Sequence, residues 1–355
     1  MNAVKDYVTP ESDSVAARHG SSEPPANDNA IVSASVRPGR SVEGRLLARL
    51  LTYLGNPSLE FVLWTGERVA APGLAKPVAA VCIHDRAALY GLLADPQVRF
   101  GDSYSDARIT VEGDLVALLE SVYRTAAASA GGSRFSVVRR GVELMRRRRV
   151  NTLPGSRDNI HHHYDIGNKF YALWLGSTMA YTCAYYPTPA ATLDEAQVAK
   201  MDHVCRKLRL KPGETVVEAG CGWGTLAAHM ARHYGVKVRA FNISHEQVAF
   251  ARDKAAQEGL GSQVEYVEDD YRNITGKYDA FISVGMLEHV GVENYTGLGR
   301  VIARCLGNAG RGLIHSIGRN RPASMHPWIE KRIFPGAYPP SLSEMMRIFE
   351  PWDLS

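Results

Sequence analysis

A carboxylate and an imidazole stand side by side near the end of an apolar run, Val284-Gly285-Met286-Leu287-Glu288-His289-Val290-Gly291. Burying them is costly unless their polar atoms find partners. The run therefore reads either as a buried structural pair or as part of a reaction centre. The next apolar stretch ends in Leu313-Ile314-His315-Ser316-Ile317-Gly318. Alone, His315 would be a core histidine making one hydrogen bond; beside the Glu288 strand it becomes a second candidate for acid–base or ion-holding work. Upstream, glycines alternate in Val217-Glu218-Ala219-Gly220-Cys221-Gly222-Trp223-Gly224, after a β-branched run and before a helical pattern. Glycine lets a backbone approach a ligand closely and visit φ > 0. The spacing is E-x-G-x-G-x-G, not the G-x-G-x-x-G of dinucleotide sites, and no G-K-[ST] follows. This turns the expectation from NAD or ATP toward S-adenosylmethionine. Glu218, Gly220, Cys221, Gly222 and Gly224 are its candidate contacts, against the alternative of an ordinary tight βα turn.

Other polar residues fall at corresponding places. Asn242 ends the second β-like run where nucleotide sites often place an acid for the ribose hydroxyls, and an amide can also bond them. Ser244 reads equally as a helix N-cap, with Gln247 completing a capping box, or as a ligand contact. Within Asp269-Asp270-Tyr271-Arg272 a polar residue could hold the adenine amine and an aromatic could stack on the ring. His161, His162 and His163 invite a zinc reading, but consecutive residues point in different directions and no second ligand pair follows at metal spacing, so no metal is expected.

The elements that would position these residues form two units. In a chain of 355 residues, 45% hydrophobic and 22% charged, there is room for two cores. Residues 1–40 are rich in Ser, Ala, Asn, Asp and Pro and are expected to be disordered. Residues 41–125 predict a small α+β domain. Its helix carries Leu46, Leu47, Leu50, Leu51 and Leu54, followed by a strand over 59–64, a turn at 65–68, a strand over 78–84, a helix over 87–93, a strand over 107–112 and a helix over 115–123. Residues 126–158 form a linker with a basic run, Arg146 to Arg149, read either as a solvated helix face or as a contact for anionic phospholipid headgroups. From 159 onward strands and helices alternate. Strands are expected over 215–218, 237–242, 264–268, 278–283 and 312–316, with helices beginning near Thr225, His245 and Asn294. That alternation predicts an α/β fold with a doubly wound parallel sheet, and ligands bind at the carboxyl ends of such strands.

No apolar run reaches the roughly 20 residues that span a bilayer. The N-terminus has no charged-then-apolar export pattern. The five cysteines show no C-x-x-C spacing and read as reduced thiols in a cytoplasm. A net charge of +4 selects no partner by itself. Nothing resembles a nucleic-acid-binding module, so nucleic acid is not expected.

With these motifs in place, residues 159–352 resemble the cyclopropane-fatty-acyl-phospholipid synthase family, which is related to mycolic acid cyclopropane synthases and fatty acid methyltransferases. The resemblance rests on H-H-Y-D-I-G-N (162–168), Y-T-C-A-Y (181–185), E-A-G-C-G-W-G (218–224), S-x-E-Q (244–247), S-V-G-M-L-E-H-V-G (283–291), H-S-I-G (315–318) and P-W-I-x-K-x-I-F-P (327–335). The first domain is similar to the family's lipid-facing N-terminal domain. The resemblance implies a class I methyltransferase sheet with S-adenosylmethionine held by Tyr181, Thr182, Gly220, Gly222, Asn242, Gln247, Tyr271 and Arg272. The family usually has Thr where this chain has Asn242. It also implies a bicarbonate ion held by Cys183, Glu288, His315 and the backbone at Ile317, with Cys183 as a hydrogen-bond donor rather than a nucleophile. A seven-stranded sheet needs two more strands after the helix near 343–349, so the chain is expected to be a fragment or a natural truncation.

The function so implied is transfer of a methylene from S-adenosylmethionine to the cis double bond of a phospholipid acyl chain. The resulting cation would lose a proton to bicarbonate as a cyclopropane closes, within walls that exclude water. Alternatives are a fatty acid methyltransferase giving a methylene or methyl branch, and a non-catalytic lipid- or S-adenosylmethionine-binding protein. The expected location is the cytoplasm, peripheral at the inner membrane face, with a bilayer surface as partner and a homodimer left open.

Overall fold

The computed structural model describes residues 40–129 and 167–352. The segment 1–39, the Arg146–Arg149 run and the three adjacent histidines lie outside the described residues.

The first unit opens with α1 (Val42–Tyr53), whose N-cap Ser41 accepts the Gly44 N–H at 2.8 Å. Leu47, Leu50 and Leu51 recur at helical spacing and are buried. A four-stranded sheet follows in the order β2-β1-β3-β4, formed by β1 (Leu59–Leu63), β2 (Arg68–Ala70), β3 (Ala79–Ile83) and β4 (Ile109–Gly113). β1 and β3 run parallel, and the outer pairs are antiparallel. Strand β2 forms where a simple turn was expected. Gly66, at φ 80°, reverses the chain and sets Phe61 opposite Val69.

Helices α2 (Arg86–Ala94), α3 (Pro96–Ser105) and α4 (Leu115–Ser129) complete this unit. The sequence hides α3, which buries only Val98 and Ser103 and contains an internal glycine; Pro96 at its start supplies a preset φ. Helix α4 runs four residues past the expected boundary at 125. Leu59, Phe61, Val81, Ile83, Leu89, Ile109 and Leu118 share one core.

The second unit carries short α5 (Asn168–Ala172), then α6 (Leu193–Leu208), β5 (Thr215–Ala219), α7 (Thr225–Tyr234), β6 (Lys237–Asn242), α8 (His245–Gln257), β7 (Val264–Glu268), β8 (Tyr278–Val284), α9 (Tyr295–Cys305) and β9 (Leu306–His315). Its five strands are all parallel in the order β7-β6-β5-β8-β9. The chain winds outward from β5 to β7 and returns on the other side at β8. The β5/β8 boundary is thus the switch point where a doubly wound sheet opens a crevice. One face packs Val204, Leu208, Met230, Val248 and Ala251; the other packs Phe281, Tyr295, Leu298, Val301 and Ile302. Strand β9 starts six residues earlier than expected, because α9 ends at Cys305 and Leu306 is already extended.

After β9 come α10 (Pro327–Arg332) and α11 (Leu342–Met345). Helix α10 meets α3 of the first unit. Asp102 accepts from Trp328 Nε1 at 3.1 Å and from Arg332 Nε and Nη2 at 2.9 and 2.8 Å. The Trp328 indole lies so close to Gly101 that a Cβ there would come within 2.6 Å of it. No described helix is long and apolar enough to cross a membrane.

Candidate active site

The glycine corner is built from backbone. Gly220, Gly222 and Gly224 have φ of 80°, 54° and 80°, between β5 and α7. The Gly220 and Cys221 amides both donate to Phe241 O of β6, at 2.9 and 3.0 Å, which ties the corner to the neighbouring strand. A Cβ on Gly224 would meet the Tyr266 ring at 2.5 Å and Ala251 Cβ at 2.7 Å, whereas one on Gly222 would meet nothing within 4 Å. The open side of the loop is therefore at Gly222, whose N–H makes no hydrogen bond among the described residues. Cys221 is buried, and burial pushes its thiol well above the usual range, so its side chain is an inert packing group. Trp223 Nε1 donates to Asn168 Oδ1 at 2.7 Å and links the corner to the end of the H-H-Y-D-I-G-N motif.

The ends of β6 and β7 carry the other expected cofactor contacts. The Asn242 amide donates to Gly222 O at 3.2 Å and to Gln247 Oε1 at 2.7 Å, and its Oδ1 accepts the Ile243 N–H at 2.9 Å. Asn242 thus braces the loop. Ser244 does cap α8, accepting the Gln247 N–H at 3.4 Å. The reciprocal half of the capping box is not formed, because the Gln247 oxygen is already bonded to Asn242. Arg272 pairs with Asp270 at 3.1 Å and its guanidinium lies 5.1 Å from the Tyr271 ring centre. Tyr271 itself is mostly buried among core residues.

Glu288 lies in a 3-10 turn (Leu287–His289) just beyond β8 and is 6% exposed. Its Oε1 accepts the Ile317 N–H at 2.6 Å, so the structure joins two expected site residues directly. Its Oε2 is buried with no hydrogen-bond partner among the described residues. Burial raises the Glu288 pKa, partly opposed by the Ile317 N–H. The Glu288 carbonyl accepts the Tyr338 N–H at 2.7 Å, which brings the segment after α10 over the site. His315 ends β9 in register with Val284 and is exposed. Partial enclosure of its ring, and then Lys207, Lys200 and His203, hold its pKa below the ordinary histidine value. Cys183 is the exposed member of the five cysteines.

Two residues that sequence reasoning missed lie on the buried face of α6. Gln197 Nε2 donates to Ala180 O at 3.2 Å and to Thr182 O at 2.9 Å; Lys200 Nζ donates to Thr182 Oγ1 at 2.6 Å. Both are nearly fully buried, at 3% and 6% exposure. The available signal was their spacing, since Gln197 and Lys200 share a helical face with Ala196, Met201, Val204 and Leu208. Glu218 is also buried, with Oε2 unpartnered among the described residues; burial pushes it up to about 8, opposed by the charge of Lys200. Tyr181 joins an aromatic wall, with ring centres 5.6 Å from Tyr171, 5.4 Å from Trp174, 6.4 Å from Trp223 and 6.4 Å from Phe334. A separate cleft lined by Thr178, His229 and Glu258 holds neither Glu288 nor His315.

The open side at Gly222 fits a ligand laid against the loop. Glu288 Oε2, which has no partner among the described residues, is free to accept from a hydrogen-bond donor. A family model for mycolic acid cyclopropane synthetase matches residues 153–355. The chain belongs to the mycolic acid cyclopropane synthetase family. A second model, described only as a domain of unknown function, matches residues 46–133 and falls on the first unit.

Among family relatives, the cyclopropane-fatty-acyl-phospholipid synthase of Escherichia coli K12 is 42% identical over 190 residues, covering 53% of this chain and 48% of that protein. Sphingolipid C9-methyltransferase B of Emericella nidulans is 32% identical over 246 residues, covering 66% of this chain and 47% of that protein. The chain thus spans about half the length of these curated relatives. A crystal structure of mycolic acid cyclopropane synthase CmaA1 complexed with SAH and CTAB aligns with a TM-score of 0.51 at 29% identity, over 54% of this chain and 72% of that one. The family's class I methyltransferase fold accounts for the strand order around β5.

Proposed function

We propose that this chain carries a transferase that moves a one-carbon unit from S-adenosylmethionine to the cis double bond of a phospholipid acyl chain and closes a cyclopropane ring. The observation that carries the reading is Glu288. It is a buried carboxylate fixed by the Ile317 N–H, with one oxygen unpartnered among the described residues, one strand from the glycine corner. Tyr181, Thr182, the loop from Glu218 to Gly224, Asn242, Gln247, Tyr271 and Arg272 would hold S-adenosylmethionine, which supplies an electrophilic methyl group. Cys183, Glu288, His315 and the Ile317 backbone would hold bicarbonate, which supplies a small base.

The chain's own residues meet the remaining needs. An isolated alkene is a weak nucleophile, so reactants must be held close and in line with water excluded. The wall of Tyr171, Trp174, Tyr181, Trp223 and Phe334 provides apolar surface, and its ring faces suit nearby positive charge. Glu288 holds its orientation through Ile317, and burial disposes it to take or share a proton. Phe170, Leu173 and Trp174 are exposed beside this wall, at 43%, 81% and 46%. Such an apolar patch supports a peripheral position on a membrane.

A methyl- or methylene-branched product is the second reading, favoured by the similarity to the sphingolipid methyltransferase. Incubating the chain with methyl-labelled S-adenosylmethionine and monounsaturated phospholipid vesicles tests both. Label in the lipid supports transfer, and NMR of the product separates ring from branch. Cofactor binding with no label in lipid would overturn the enzymatic reading.

A further inference from the structure

We propose that Lys200 is a positioning residue of this site: from beneath, its ammonium fixes Thr182 over the end of β8 and so sets where Tyr181 and Cys183 stand. The proposal rests on the reading above for what the site does, but its geometry is independent of that reading.

Thr182 is held from two sides. On the sheet side, its Cγ2 occupies the place where a Cβ on Gly285 would stand, 2.4 Å from it. Only glycine at 285, which also has φ 72°, admits the segment at this approach. On the helix side, Lys200 holds the hydroxyl while Gln197, one turn earlier, holds the carbonyls of Ala180 and Thr182. A methionine or leucine could fill this volume without desolvating a charge. The lysine keeps its charge in a place where burial lowers its pKa to about 8. The groups facing that ammonium are Glu218 from β5, Cys183 from the held segment and His315 from β9. Lys207 and His203, also on α6, face His315. Lys200 thus connects the glycine corner to the reaction centre through one hydrogen bond and a shared field.

The test uses the full chain with Lys200→Met, Lys200→Arg, Thr182→Val and the double variant Lys200→Met/Thr182→Val. Label transfer to vesicles is measured, together with the His315 imidazole titration by NMR. Lys200→Met is expected to lower kcat at least tenfold and to raise KM for S-adenosylmethionine, whose contacts Tyr181 and Thr182 it positions, and Lys200→Arg to recover most of both. Thr182→Val is expected to lose a similar factor, and the double variant no more than Lys200→Met alone, since both act through one contact. The His315 pKa should rise in Lys200→Met, where a neighbouring positive charge is gone, and stay put in Thr182→Val. Unchanged kcat in Lys200→Met, equal loss in the Arg variant, or multiplying losses in the double variant would overturn the role. A wild-type chain that binds cofactor yet transfers nothing overturns the proposed reaction instead. In that case the titration decides, and an unmoved His315 overturns the placement of Lys200.

Discussion

The glycine corner and the Glu288 centre stand on neighbouring strands and are built by opposite rules. In the corner, nearly every polar group is answered from within. The Gly220 and Cys221 amides share Phe241 O, Asn242 braces Gly222, and Tyr266 OH donates to Gly224 O at 2.7 Å. Beneath the corner and in the centre, Oε2 of Glu218 and Oε2 of Glu288 are buried without partners among the described residues, and the Lys200 ammonium between β5 and the 180–183 segment makes one hydrogen bond among them. Native cores rarely leave such groups unmatched. The corner is shape that the backbone holds at low free energy, whereas the centre keeps ionisable groups out of water with few partners among the described residues.

The hardest break of this contrast is Gly224→Ala. A φ of 80° and contact with the Tyr266 ring and Ala251 should cost about 3–4 kcal/mol of stability, read by denaturant unfolding. Gly222→Ala, with open space around it, should cost only about 1 kcal/mol in the same assay while weakening S-adenosylmethionine binding in calorimetry. Equal destabilisation by the two would erase the distinction between packed and open sides of the loop.

Next in size is Glu288→Gln, expected to lower turnover about 100-fold or more while leaving cofactor affinity intact. Its stability should not fall. Burial raises the Glu288 pKa, so the group stabilises the fold below its unfolded value of 4.5 and loses that contribution as pH rises through the folded value. The variant should therefore gain on the wild type in thermal melts as pH rises above 4.5. Parallel losses of turnover and affinity would make Glu288 a structural group.

A subtler measure sharpens the picture of buried charge. Glu218 is pushed from 4.5 up to about 8 and Lys200 from 10.5 down to about 8. Stability from Glu218 falls as pH climbs from 4.5 to about 8, and stability from Lys200 returns between about 8 and 10.5. Melting temperature plotted against pH should dip near 8, and the Glu218→Gln/Lys200→Met variant should flatten the dip. The smallest effect belongs to Asp102→Asn. Its partner Arg332 is 46% exposed, so the loss should be about 1 kcal/mol or less.

The sequence made the corner legible because glycine spacing and β-branched runs are local signals. Strand β6 and strand β7 form over the expected residues, and Glu288 and Ile317 do meet. What escaped depends on tertiary context. Helix α3 has little apolar periodicity and is held by its neighbours. The closed capping box at Ser244 failed because Asn242, five residues before Gln247, competes for the Gln247 side chain. Lys200 and Gln197 lie on α6, a helix for which no expectation was drawn from the sequence, and only the folded segment at 180–182 shows what they grip. His315 was placed correctly at a strand end, but its exposure and its cluster of basic neighbours are properties of the assembled sheet.

One ribbon of twelve residues, Pro327 to Tyr338, touches both units. Trp328 and Arg332 bond to Asp102, Phe334 stands 5.6 Å from His289, and the Tyr338 N–H holds the Glu288 carbonyl. For anyone grafting a different first domain onto the second unit, the exchangeable module does not end at the domain border. The swap must carry Trp328 and Arg332 with the new domain's docking helix, or re-fit Phe334 and Tyr338 to keep the carboxylate where it is.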